Sequence, residues 1–161
     1  MQSYGRIYTP YTRGNFKYYR PYGWKRIALK VLDNDWLGAK DRMNPFNSVD
    51  GEWINSYHGT AKGNVEPITK DGFDLSKGIN FEFGIGIYST PYIEIASGYA
   101  TRFNYEGETY KVVFQNRVKP NTFNIENFRR YFVTSNDRDI RPYGICIQKC
   151  NASFSPLCCI N

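Results

Sequence analysis

Histidine occurs once among the 161 residues, as His58, and methionine and tryptophan are scarce at two and three. Cysteine is absent until Cys146, after which Cys146, Cys150, Cys158 and Cys159 fall close together. Thiols confined to one end cannot staple the body of a domain to itself. Their C-x3-C-x7-C-C spacing fits no common zinc pattern, and the lone histidine is far from them. No metal is expected: the thiols read as reduced groups on a strand and a tail, with metal binding or disulfide pairing as the alternatives. Long apolar runs are missing too. Nothing approaches the roughly 18 consecutive apolar residues of a membrane helix, and Met1 to Ile7 lacks the apolar stretch of a signal peptide. A soluble intracellular protein, in cytoplasm or nucleus and without a membrane partner, is the expectation. Internal repeats and low-complexity tracts are absent as well.

Rings and positive charge are what the chain has in plenty. Tyrosine (14) and phenylalanine (11) favour strands and stacking surfaces, and a net charge of +6 favours acidic partners such as nucleotides, nucleic acid or anionic surfaces. The length suits one domain with a core of its own. Residues 1–26 are rich in Tyr, Arg and Gly, are interrupted by Pro10 and Pro21, and follow neither strand nor helix period. They read as an irregular arm packed on a domain of residues 27–161. Arg6, Arg13, Lys17 and Arg20 between the tyrosines leave RNA stacking as the other use of the arm.

From Ile27 an alternation through Leu29 and Val31 against Ala28, Lys30 and Leu32 predicts a half-buried strand. Trp53 to His58 predicts a second, breaking at Gly59. Asn64 is placed to cap a short helix carrying Val65 and Ile68 inward, with Gly72 ending it. Pro91 opens a helix to about Arg102, with Ile95 and Tyr99 on one face. Tyr110 to Val118 is the clearest strand, apolar enough at its centre for burial on both sides. Tyr131 to Thr134 and Tyr143 to Gln148 are two more, separated by the polar turn of Ser135 to Asp139. Strands and helices that do not alternate regularly make an α+β domain.

The chemistry sits in Tyr57-His58-Gly59-Thr60 at a strand end, then Gly86-Ile87-Tyr88-Ser89, then Ala96 and Tyr99 on the next helix. In order and spacing this resembles ADP-ribosyltransferase domains of the diphtheria-toxin and poly(ADP-ribose) polymerase type, over about residues 53 to 149. Tyr22-Gly23-Trp24-Lys25-Arg26, Gly51-Glu52-Trp53, Gln115-Asn116-Arg117-Val118 and Ile140-Arg141-Pro142-Tyr143-Gly144-Ile145 look like a eukaryotic group of such domains, frequent in fungi and protists and related to a domain near Neuralized repeats. The resemblance implies two small packed antiparallel β-sheets forming a split β-sandwich with a few short helices.

It also implies NAD as substrate and glycosyl transfer as the reaction. Cleaving nicotinamide from ribose leaves an oxocarbenium-like sugar, so such a site holds NAD bent, grips its hydroxyls and excludes water. By resemblance, His58 would hydrogen-bond the adenosine ribose, the backbone of Gly59 would pair with the nicotinamide amide, and Thr60 would offer a hydroxyl. Tyr88 and Tyr99, at the family's interval, would sandwich the nicotinamide ring.

Two positions depart from the family. Its usual serine three residues before the second tyrosine is Ala96, with Ser97 adjacent but turned elsewhere on a helix. Its catalytic glutamate, at the start of the penultimate strand, falls on Tyr131, giving a triad of His58, Tyr88 and Tyr131. A phenol is a poor general base at neutral pH, so chain elongation is not expected. A shift of a few residues would bring Glu126, Asp137 or Asp139 into play, and Arg129 and Arg130 either edge the strand or meet a pyrophosphate. The implied activity is mono(ADP-ribosyl) transfer to a protein or nucleic-acid acceptor. A catalytically impaired module binding NAD, ADP-ribose or a partner is the alternative. An RNA-binding or RNA-modifying domain is the third reading; the tRNA 2′-phosphotransferases of this fold depend on several histidines, and this chain has one.

Overall fold

The computed structural model describes residues 10–30, 48, 51–78, 82–128 and 130–150. The arm is not irregular. Tyr11–Arg13 (β1) and Phe16–Tyr18 (β2) form a hairpin, because Gly14 and Asn15 both adopt positive φ, 55° and 64°, the combination a two-residue turn between twisted strands requires. Its rings are used within the chain. Tyr18 is buried, Tyr19 stacks on Tyr92 at 5.9 Å between centroids, and Arg20 lies 4.0 Å over Tyr11. Arg13 pairs with buried Glu52 at 3.2 Å.

The next strand, Lys25–Ala28 (β3), starts earlier than Ile27 and is exposed throughout rather than half-buried. Among the described residues it is an edge strand, and of the alternation that suggested burial Leu29 packs partly against the core while Ile27 is exposed. Val31 and Leu32 lie outside the described residues, as do Arg129, Cys158 and Cys159.

Ile54–Thr60 (β4) runs through Gly59 instead of breaking there. A 3-10 turn leads into Val65–Asp71 (α1), which Gly72 ends at φ 87°. Asn64 makes no cap; its amide donates instead to Thr60 Oγ1 at 3.1 Å. Ile87–Ser89 (β5) precedes Ile93–Tyr99 (α2), shorter than expected and with Ile93 and Ala96 as its buried face. Tyr99 points outward, 63% exposed. Phe103–Tyr105 (β6) turns into Glu108–Val118 (β7) through Glu106 and Gly107, again both at positive φ. Phe123–Glu126 (β8), Tyr131–Thr134 (β9) and Ile140–Lys149 (β10) complete the order.

One sheet runs β3-β10-β7-β4 with β6 on the end of β7; the other runs β5-β9-β8. Every strand pairing among the described residues is antiparallel. The chain is α+β, with short helices and antiparallel sheets in an arrangement compatible with a split β-sandwich. β7 is buried on both faces, as its apolar centre predicts. Phe114 and Val118 meet Ile54, Ile140, Ile87 and Phe132 between the sheets, whereas Val113 joins Tyr57 and Cys146 beneath Ile93 and Ala96 of α2. Each fully buried ring such as Phe114 or Phe132 contributes about 1.5–3 kcal/mol. Phe123, Phe132 and Phe16 pack edge to face or tilted at 4.9–5.7 Å, which ties the hairpin to the same core.

No helix among the described residues is long and apolar enough to cross a membrane. Among the described residues one backbone bridge joins the two sheets: Tyr57 of β4 exchanges both backbone hydrogen bonds with Thr90, just after β5, at 2.7 and 2.9 Å. Past that bridge β4 and β5 part.

Candidate functional site

Where β4 and β5 part, a cavity of about 430 Å³ opens, in the size range of small-molecule sites. Its wall brings together His58, Gly59 and Thr60 from β4, Tyr88 from β5, Ala96 and Tyr99 from α2, and Tyr131, the first residue of β9. Every site residue anticipated from the sequence borders this one space. Glu126, Asp137 and Asp139 do not border it. Glu126 faces Tyr131 across the β8–β9 ladder, and Asp139 pairs with Lys119 at 3.6 Å.

His58 is held at the fork. Its Nδ1 lies 2.7 Å from the carbonyl oxygen of Tyr88, which can only accept, so Nδ1 carries the proton and Nε2 keeps its lone pair. Phe73 meets the imidazole edge to face at 5.0 Å. Burial pushes the imidazole below its ordinary value of 6.5, against the opposing effect of the Tyr88 carbonyl. The side chain is therefore a neutral acceptor at physiological pH.

Gly59 has a steric reason to be glycine. A Cβ there would lie 1.9 Å from the carbonyl oxygen of Ala96 and 2.9 Å from the amide nitrogen of Ala100, so α2 rests directly on the β4 backbone. Backbone groups alternate sides along a strand, so the N–H and C=O of Gly59 point the same way as those of Tyr57, one step past the last bond to Thr90. Gly86 is cramped to a lesser degree, 2.6 Å from Val133 Cγ1 at the Cβ position. Ala96 is buried where α2 meets β4, and the Ser97 carbonyl accepts from Lys111 Nζ at 2.7 Å.

The rings do not form a simple pair. The Tyr88 hydroxyl accepts from the Phe83 amide at 2.7 Å and donates to the Gly84 carbonyl at 2.8 Å, which pins the loop before β5. Phe83 stacks on Tyr88 at 6.2 Å and contacts Tyr131 at 5.8 Å, while Tyr131 meets Tyr99 edge-on at 6.3 Å with their hydroxyls 3.0 Å apart. Tyr88 and Tyr99 thus border one cavity with Phe83 and Tyr131 linking them. The hydrogen bond that Tyr99 donates to the Tyr131 hydroxyl, more than burial, pushes the Tyr99 phenol up to about 12, and the Glu82 carboxylate adds to it against Arg130. The phenol stays protonated at neutral pH.

Glu82, Phe83 and Phe73 were not singled out from the sequence. Glu82 and Phe83 stand immediately before Gly84-Ile85-Gly86, and an acidic–aromatic doublet at a glycine-rich turn was the available signal. Asp74 and Glu82 are the carboxylates on the wall. Asp74 is occupied: its Oδ1 accepts from the Ser76 amide and hydroxyl at 2.9 and 2.6 Å, and Oδ2 lies 3.7 Å from Lys77 Nζ. No group of three or more metal-ligating side chains forms among the described residues. Comparison of the sequence with protein-family models and with curated proteins finds no match.

Proposed function

We propose that this chain has the ADP-ribosyltransferase fold and is an NAD-dependent mono(ADP-ribosyl)transferase, moving ADP-ribose to a protein or nucleic-acid acceptor with release of nicotinamide. The observation that carries this reading is the convergence of His58-Gly59-Thr60, Tyr88, Tyr99 and Tyr131, from four separate elements, on one cavity. These positions are the ones the family uses, and only the fold brings them together.

The roles follow from what each group offers. Nε2 of neutral His58 accepts a ribose hydroxyl. The outward N–H and C=O of Gly59 match the C=O and NH2 of a carboxamide, a two-bond contact that orients the leaving group. Tyr88 presents a ring fixed by its hydrogen bonds to the Phe83–Gly84 turn, and Tyr99 and Tyr131 close the other side, so that rings rather than water surround the breaking bond. Thr60 already accepts from Asn64 and has its own O–H left to donate.

A second reading, a module that binds NAD or ADP-ribose without turnover, is favoured by the Tyr99–Tyr131 hydroxyl pair where the family places a carboxylate. Incubation of the purified protein with labelled NAD and mixed acceptors separates the two. The transferase reading expects label that is lost in His58→Ala and persists in part in Tyr131→Phe. Label surviving His58→Ala removes the assignment of the cavity, and NAD binding without label selects the second reading.

A further inference from the structure

Among the described residues the cavity has one carboxylate outside any hydrogen bond or ion pair. Glu82 borders it at the end of the loop before β5, is exposed, and makes no hydrogen bond or ion pair among the described residues, whereas Asp74 is fully engaged with Ser76 and Lys77. The Tyr99 and Tyr131 hydroxyls, 3.0 Å apart, border the same cavity, and the Glu82 charge acts on Tyr99. The other titratable groups around the cavity are His58 on β4, Tyr88 on β5, the Asp74–Lys77 pair beyond α1, and Arg130 beside Tyr131.

We infer that Glu82 is the acceptor-side base of this cavity, supplying from the loop the carboxylate that Tyr131 does not, and that the acceptor it serves is a hydroxyl. This rests on the transferase reading. In the step, the bond between the nicotinamide nitrogen and the ribose breaks and its electron pair leaves with neutral nicotinamide. The acceptor oxygen forms the new bond to the ribose carbon, and its proton passes to Glu82 and then to solvent. A carboxylate acceptor has no proton to lose and would be repelled by the charge on Glu82, so the site suits serine, tyrosine or ribose hydroxyls, with water as the smallest case. The phenols do not compete for the role: Tyr99 holds its proton well above neutrality.

The experiment measures nicotinamide release from NAD in the whole chain at saturating NAD between pH 4 and 8, with water as acceptor, for wild type, Glu82→Gln and Glu82→Asp. Saturation removes the contribution that His58 makes through binding. The linkage of labelled NAD product on the protein is then challenged with neutral hydroxylamine, which cleaves esters and spares glycosides of hydroxyls. Expected are a fall in kcat of about 100-fold in Glu82→Gln with KM within twofold across this pH range, and partial rescue in Glu82→Asp. The wild-type product resists hydroxylamine. An unchanged kcat in Glu82→Gln, or a product released by hydroxylamine, overturns the inference and leaves the transferase reading intact. No nicotinamide release from wild type overturns both.

Discussion

At Gly59 two demands meet in one residue. The helix α2 comes so close that a methyl group would sit 1.9 Å from the Ala96 carbonyl oxygen, and the strand has just left its last bond to Thr90, so its next N–H and C=O face the cavity. The first demand is steric and belongs to the fold; the second belongs to the site. Gly59→Ala is expected to cost about 3 kcal/mol or more, beyond ordinary overpacking, because the clash is with backbone that cannot rotate away. Urea denaturation measures it, and a loss below about 1 kcal/mol would mean that α2 does not rest on β4 as described. His58-Gly59-Thr60 was legible as a motif from residue order alone. That the same glycine seats a helix was not, because Ala96 and Ala100 are distant in sequence and silent in composition. Glu82 and Phe83 were missed for a similar reason: their meaning comes from Tyr99 and Tyr131, which only folding brings near.

At the scale of elements, apolar density decided what could be read. β7 and β9 stand out in the sequence because burial on one or both faces demands runs such as Val112 to Phe114 and Phe132 to Val133. β1, β2, β6 and β8 are short, and most of their residues are half-buried or exposed, so no periodicity betrays them. The Gly14-Asn15 turn makes a strand pair out of what composition marks as an irregular arm. In α2 the pair Ile95 and Tyr99 satisfied helical spacing, yet Ile93 and Ala96 are the buried face, leaving Tyr99 free to reach the cavity. The hairpin is fastened by charge. Glu52 lies between Arg13 and Arg117, each at 3.2 Å, and all three are buried. Glu52→Gln removes the carboxylate charge between two buried guanidinium groups, and a loss of roughly 3–5 kcal/mol is expected. Limited proteolysis of the variant should cut near the Gly14-Asn15 turn before the rest of the chain; cleavage as slow as in wild type would show that the ion triad does not hold the arm.

For the whole molecule, the fork between the sheets makes stability depend on pH. His58 takes up a proton in the unfolded chain near its ordinary 6.5 but resists it in the native state, where burial disfavours the charge. The stabilisation is complete above the unfolded value and is lost as pH falls from there through the lowered native one. Denaturation midpoints at successive pH values should show this loss in wild type and not in His58→Asn, which cannot titrate; equal slopes in both would remove the buried imidazole from the account. Cys146 is withdrawn in the same way, its thiol pushed up to about 12 mainly by burial under α2.

What residue order settled is whatever depends on neighbours along the chain: the apolar strands, the existence of two helices, the lack of long apolar runs, and the spacing of His58, Tyr88, Tyr99 and Tyr131. What needed the folded chain is whatever depends on approach from elsewhere. The β4–β5 bridge ends at Tyr57 and Thr90, and past that end point lie the cavity, His58 oriented by the Tyr88 carbonyl, and Glu82 on the cavity wall. Spacing places residues on elements; only the parting of two sheets places them around one space.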